Sequence, residues 1–157
     1  MSNLKQYLLI LLLIPFLSSC RKGEPYDAEK QLQKDEQLIK DYLEANNIPA
    51  TRHQSGVYYV ISNPGEGQMN YTLSTKVKFQ YSLKLLGGDV IPQPTEPVSF
   101  MLGQLIPGWQ IGIPLIQEGG SIRLFVPSFY AYGPHGQNGV PANAVLDFDI
   151  QLIDVGF

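Results

Sequence analysis

The side chains with most chemical promise in this chain are aromatic, and they fall in three short blocks. Phe100-Met101-Leu102-Gly103-Gln104-Leu105-Ile106-Pro107-Gly108-Trp109 holds the one tryptophan, Tyr130-Ala131-Tyr132-Gly133 sets two tyrosines beside a glycine, and Leu146-Asp147-Phe148-Asp149 follows. The chain offers no activated nucleophile, no paired carboxylates and no metal-ligating cluster. Cys20 is its one cysteine, and its two histidines, His53 and His135, read as solvated loop residues. Non-covalent work in an apolar pocket is the expectation, with no metal and no cofactor.

In their order and spacing the three blocks resemble the FKBP-type peptidyl-prolyl isomerases, over roughly residues 55–155. That resemblance implies catalysis of rotation about X–Pro bonds in proline-containing polypeptide clients. The barrier is about 18–20 kcal/mol and arises from amide resonance, so the uncatalysed step takes tens to hundreds of seconds. A catalyst needs only to hold the twisted amide better than the planar one. The twisted form is less dipolar, so a dry aromatic pocket that grips the proline ring favours it, and a donor aimed at the carbonyl completes the site.

Carried onto this sequence, the resemblance makes Trp109 the pocket floor and Tyr132 the hydroxyl that donates to a bound carbonyl. Tyr81 becomes a wall and Phe148 the far wall, with Phe100 or Val98 opposite. Leu105 and Ile106 match positions that meet the substrate through side chain and backbone, and Val140 matches the aliphatic tip of the loop that covers the proline. One stretch departs from the pattern. Family members read Gly-x-x-Phe-Asp-Ser within the stretch where this chain has Gly87-Gly88-Asp89-Val90-Ile91-Pro92-Gln93-Pro94. Ile91 replaces the pocket phenylalanine, and Pro92 stands where a carboxylate is expected. Losing one polar partner of a charged network costs about 1.5–3 kcal/mol, so turnover lowered tenfold or more is expected. The alternative reading is a catalytically weak or inactive binding or chaperone module on the same fold.

The elements that must position these groups follow from the apolar period. Val77, Phe79, Tyr81, Leu83 and Leu85 alternate with Lys76, Lys78, Gln80, Ser82 and Lys84, the pattern of a strand with one buried and one wet face. Shorter alternations at Val98, Phe100 and Leu102, at Ile122, Leu124 and Val126, and at Leu146, Phe148, Ile150 and Leu152 add strands, as does Val57-Tyr58-Tyr59-Val60-Ile61. Residues 109–117 remain for a short helix, loosened by Pro114. The expected class is α+β: a curved antiparallel sheet of about five strands wrapped around one short helix, like that of the family, in a domain at 55–157. Ahead of it, residues 27–47 predict an amphipathic helix capped by Asp27, with Leu32, Ile39, Tyr42 and Leu43 on one face. That stripe either packs on the domain or serves as a face for a homodimer or an envelope complex.

Residues 1–19 read as a signal peptide. Lys5 precedes an apolar run at 7–17 that, as a helix of eleven residues, spans about 16 Å against a hydrocarbon core of about 30 Å. Leu17-Ser18-Ser19-Cys20 resembles the bacterial lipobox, which implies acylation of Cys20 and a lipidated tether at 20–26; ordinary secretory cleavage is the alternative. No intramolecular disulfide can form with one cysteine. Arg21 is not the aspartate that retains enterobacterial lipoproteins at the inner membrane, so a body in the cell envelope, anchored at the outer membrane and facing the periplasm, is expected. Cleavage before Cys20 removes Lys5 and no acidic residue, taking the net charge from −3 to −4. Scattered basic residues in an acidic chain give no face for nucleic acid.

Overall fold

The structure is a computed structural model that describes residues 26–137 and 139–156. The signal segment, Cys20 and nearly all of the tether lie outside the described residues.

Two helices and seven strands follow in chain order: α1 (Ala28–Ala45), β1 (Thr51–Arg52), β2 (Tyr58–Asn63), β3 (Lys76–Leu85), β4 (Val90–Ile91), β5 (Val98–Met101), α2 (Pro107–Gly112), β6 (Ser121–Val126) and β7 (Leu146–Val155). Strand β3 is the spine of the sheet. It buries Val77, Phe79 and Leu83 and exposes Gln80 and Ser82, as its alternation requires. It pairs antiparallel with β7 from Val77↔Val155 to Leu85↔Leu146, with a bulge between Lys78 and Phe79. Its other edge takes β5 and then β4, through Phe79↔Val98 and Leu83↔Ile91. The order is β1-β2-β6-β7-β3-β4, with β5 also on β3. The sheet therefore exceeds the five strands expected. Both additions, β1 and β4, are two residues long and too short to carry a readable period.

The inner face of the sheet wraps α2, and Val77, Phe79, Trp109, Ile113, Leu124 and Phe148 belong to the main core. Past Gly112 the helix tightens into a 3-10 turn at Ile113–Leu115, where Pro114 has no N–H to continue the α ladder.

The outer face carries a second core. Asp27 caps α1 by accepting from Lys30 N at 3.0 Å. Ile39 and Leu43, four residues apart, then pack with Tyr58, Phe125 and Val145 of the sheet side. Tyr42 meets the Phe125 ring at 6.2 Å between centroids. The apolar stripe thus rests on the chain's own sheet. Arg52 of β1 forks onto Glu36 of α1, Nε to Oε2 and Nη2 to Oε1 at 2.8 Å each. That hydrogen-bonded guanidinium holds the Glu36 carboxyl below the ordinary carboxylate range. Beside this core the buried Asp147 receives Arg123 bidentately, at 2.8 and 2.7 Å.

Candidate active site

The site begins with two glycines. A Cβ on Gly108 would stand 2.4 Å from Val126 Cγ1, and one on Gly112 would stand 2.4 Å from Leu124 Cδ1. Their absence lets α2 lie against β6 more closely than any side chain would allow. Pro107 opens the helix at its first turn, where the missing N–H costs nothing. The approach to it is tied by Gln110 Nε2, which donates to Leu105 O at 2.7 Å, and by Gln104 Oε1, which accepts from Met101 N at 2.9 Å.

Trp109, held on this helix, is 3% exposed. Three aromatic rings meet it edge to face: Phe79 at 4.7 Å, Tyr81 at 5.0 Å and Phe148 at 5.2 Å between centroids. Phe79 also stacks on Phe100 at 6.2 Å. The rings come from four elements, Phe79 and Tyr81 from β3, Phe100 from β5, Trp109 from α2 and Phe148 from β7, so the cage exists only when all four are assembled. It bounds a solvent-open pocket of about 410 Å³, which Tyr132 and the helix entry Leu105-Ile106 also line. A larger hollow of about 500 Å³ lies against polar side chains including Gln80, Ser82, Arg123 and Asp149. Its lining has Tyr81 as its one aromatic residue and does not include the indole, so the aromatic cage opens into the smaller one.

Two residues that line the aromatic pocket carry unspent donors. The Tyr132 hydroxyl makes no hydrogen bond among the described residues, and nothing among them accepts the Ile106 N–H. Burial pushes the phenols of Tyr81 and Tyr132 above their ordinary value, and Tyr132 adds to the effect on Tyr81. Both therefore keep their protons at neutral pH. The indole Nε1 of Trp109 is buried with no acceptor among the described residues.

Comparison with known proteins agrees with this geometry. The family model of the FKBP-type peptidyl-prolyl cis-trans isomerases matches residues 67–153, more than half of the chain. The chain belongs to this family. It is 33% identical over 143 residues to the FKBP-type peptidyl-prolyl cis-trans isomerase FkpA of Buchnera aphidicola, covering 88% of this chain and 56% of that protein. With the FkpA of Escherichia coli K12 it shares 34% over 132 residues, 81% of this chain and 48% of the other. The chain thus spans about half the length of the curated relatives it matches. Among solved structures, FkpA from Escherichia coli superposes with a TM-score of 0.69 at 33% identity, covering 82% of this chain and 62% of that one. A peptidyl-prolyl cis-trans isomerase from Pseudomonas syringae gives 0.69 at 25% identity, covering 86% of this chain and all of that one.

Of the ten positions assigned from FKBP resemblance, the fold gathers seven around the pocket: Tyr81, Phe100, Leu105, Ile106, Trp109, Tyr132 and Phe148. The other three stand outside its lining. Val98 is half-buried opposite Phe79 in the β3–β5 register and packs on the main core. Ile91, on the short β4, lines a shallower hollow beside the wall formed by Tyr81 and Leu83. Val140 is buried, and its backbone bridges to Gln137. The pocket also uses Phe79, Leu83, Gln104 and Gln137, which were not singled out. Phe79 and Leu83 share the inward face of β3 with Tyr81, so the alternation itself could have found them. Nothing in the sequence marks the two glutamines.

Pro92 leaves this loop without the FKBP carboxylate, as read from the sequence. The Tyr81 hydroxyl donates to Gln93 Oε1 at 2.5 Å, and Gln93 Nε2 reaches Ile91 O at 3.4 Å, so a neutral amide one residue past Pro92 holds the pocket-wall phenol from outside the pocket lining. Asp89 stays exposed at the turn before β4.

Proposed function

We propose that this chain is a peptidyl-prolyl cis-trans isomerase that assists the folding of proline-containing polypeptides exported to the cell envelope. The observation that carries the reading is the open aromatic cage on Trp109, with two unspent donors at its rim. A proline ring seated against Phe79, Tyr81, Phe148 and the indole leaves water, and its preceding amide meets the Tyr132 hydroxyl and the Ile106 N–H. In so apolar a setting the planar, more dipolar amide loses more than the twisted one, and the barrier falls. No bond is made and no proton moves. Gln93 keeps the Tyr81 wall fixed without adding charge, which supports an active rather than a merely binding site.

The test is a protease-coupled proline-peptide assay on the body from Arg21 onward. Catalysis above buffer is expected, with about a tenfold loss for Tyr132→Phe and a larger one for Trp109→Leu. A folded protein whose rate equals buffer removes the reading.

The lipobox-like Leu17-Ser18-Ser19-Cys20 supports a lipid anchor on Cys20 after removal of residues 1–19, with 20–26 as tether and the domain at 55–157 facing the periplasm from the outer membrane. Acyl chains contribute about 0.8 kcal/mol per buried methylene, so two or more hold the body stably. Labelling with a fatty-acid analogue that vanishes in Cys20→Ser checks this. Because Ile39 and Leu43 are spent inside the chain, a homodimer or envelope complex would form through the outward side of α1, where Leu38 is exposed.

A further inference from the structure

Among the charged residues of α1, Asp35 alone is fully buried. Its Oδ1 accepts from Gln31 Nε2 at 2.7 Å. Its Oδ2 accepts twice from one residue far along the chain, from Ser128 N at 2.8 Å and from Ser128 Oγ at 2.5 Å. Ser128 is itself buried and opens the 3-10 turn Ser128–Tyr130 that follows β6. Its carbonyl then accepts from Ala131 N at 3.0 Å and Gly133 N at 2.9 Å, the residues on either side of Tyr132. One carboxylate thus holds both polar groups of Ser128 that point back to α1, while the carbonyl of the same residue holds the segment that carries the pocket's donor hydroxyl.

A buried carboxylate is a poor device for stability alone. An apolar side chain of similar volume would pack as well without being stripped of water. What it supplies is direction, because a carboxylate accepting two hydrogen bonds from one residue fixes that residue's backbone. We propose that Asp35 is a positioning residue for isomerisation: through Ser128 it sets the backbone on which Tyr132 is carried, so the N-terminal helix tunes a pocket it does not touch. This inference rests on the reading of that pocket as an isomerase site.

The test is a mutant cycle on the full body. Asp35→Asn, Asp35→Ala and Ser128→Ala are each combined with Tyr132 or with Tyr132→Phe, and kcat/KM is measured on the folded fraction. Ile39→Val serves as a control that loosens α1 without touching the hydrogen bonds. Asp35→Ala is expected to lower turnover about tenfold when Tyr132 is present and less than about twofold in Tyr132→Phe, since a misplaced donor costs nothing once the donor is gone. Ile39→Val is expected to leave turnover unchanged in both backgrounds. If Asp35→Ala does not fold, Ser128→Ala runs the same cycle, because it keeps the backbone bond and deletes only Oγ. Equal losses in both backgrounds, or no loss in either, overturn the inference while the isomerase reading stands. A native chain with no activity above buffer removes that reading and this inference with it.

Discussion

Tyr81 and Gln93 are joined by a hydrogen bond of 2.5 Å, phenol to amide oxygen, across the gap between β3 and the loop after β4. The acceptor is a neutral amide in a loop without the FKBP carboxylate, and the bond puts a testable demand on this loop. Gln93→Ala leaves a half-buried hydroxyl without its partner, a loss of about 1–3 kcal/mol that is softened by the remaining access to water. A fall in kcat/KM of about fivefold is expected. Gln93→Glu keeps an acceptor and is expected to hold the native rate within about twofold. Pro92→Asp adds a second acceptor where one already serves, so it changes turnover by less than about threefold. Gln93→Ala at the native rate would deny the bond any part in the site.

Gly108→Ala puts a methyl group 2.4 Å from Val126 Cγ1 and 3.3 Å from the Tyr130 carbonyl. Val126 is fully buried and has nowhere to turn. Overpacking of this kind costs about 1–3 kcal/mol, and α2 must move off β6, carrying Trp109 with it. A lowered urea midpoint should therefore come with altered tryptophan emission. An unchanged spectrum would mean that the indole does not depend on this contact.

The raised phenols give a sign to the alkaline limb. Tyr81 and Tyr132 hold their protons in the folded chain past the value of 10.0 at which a free tyrosine ionises. Their contribution to stability is fully present below about pH 10 and is lost as the pH climbs from there through the folded values, because the unfolded chain gives up its protons first. Turnover is expected to stay level between about pH 6 and 9. Urea midpoints should decline beyond about pH 10, and tyrosinate absorbance in the folded chain should lag behind that of the unfolded one. Coincident titrations in the two states would contradict this.

Ile39→Ala empties a fully buried position between α1 and the sheet. A loss of about 2–5 kcal/mol is expected in urea unfolding, in a single transition shared by α1 and the sheet. Two separate transitions would show that α1 melts on its own.

How far the sequence could be read depended on the range of the interaction. The ten residues of β3 carry their own two-residue period, so the strand and its buried face were plain, and Asp27 announced the start of α1 within three residues of its partner Lys30. The blocks around Trp109, Tyr132 and Phe148 marked the pocket through their resemblance to a family. What escaped was set by distant or amphoteric partners. Asp35 reads as one more charge on a charged helix until Ser128 is folded against it. Gln93 carries no signal of its own, because an amide suits water and a phenol equally well. Val98 and Ile91 were assigned by position, yet strands β5 and β4 aim them beside the pocket rather than into it.

The second core on the outer face has a practical corollary. Phe125, Tyr58 and Val145 are dry only because α1 lies over them. A protein cut at residue 55, where the isomerase-like portion starts, would bare that oily strip and leave the Ser128 amide and hydroxyl searching for an acceptor. A fragment that keeps that strip covered and Ser128 paired must therefore include α1 and its cap at Asp27.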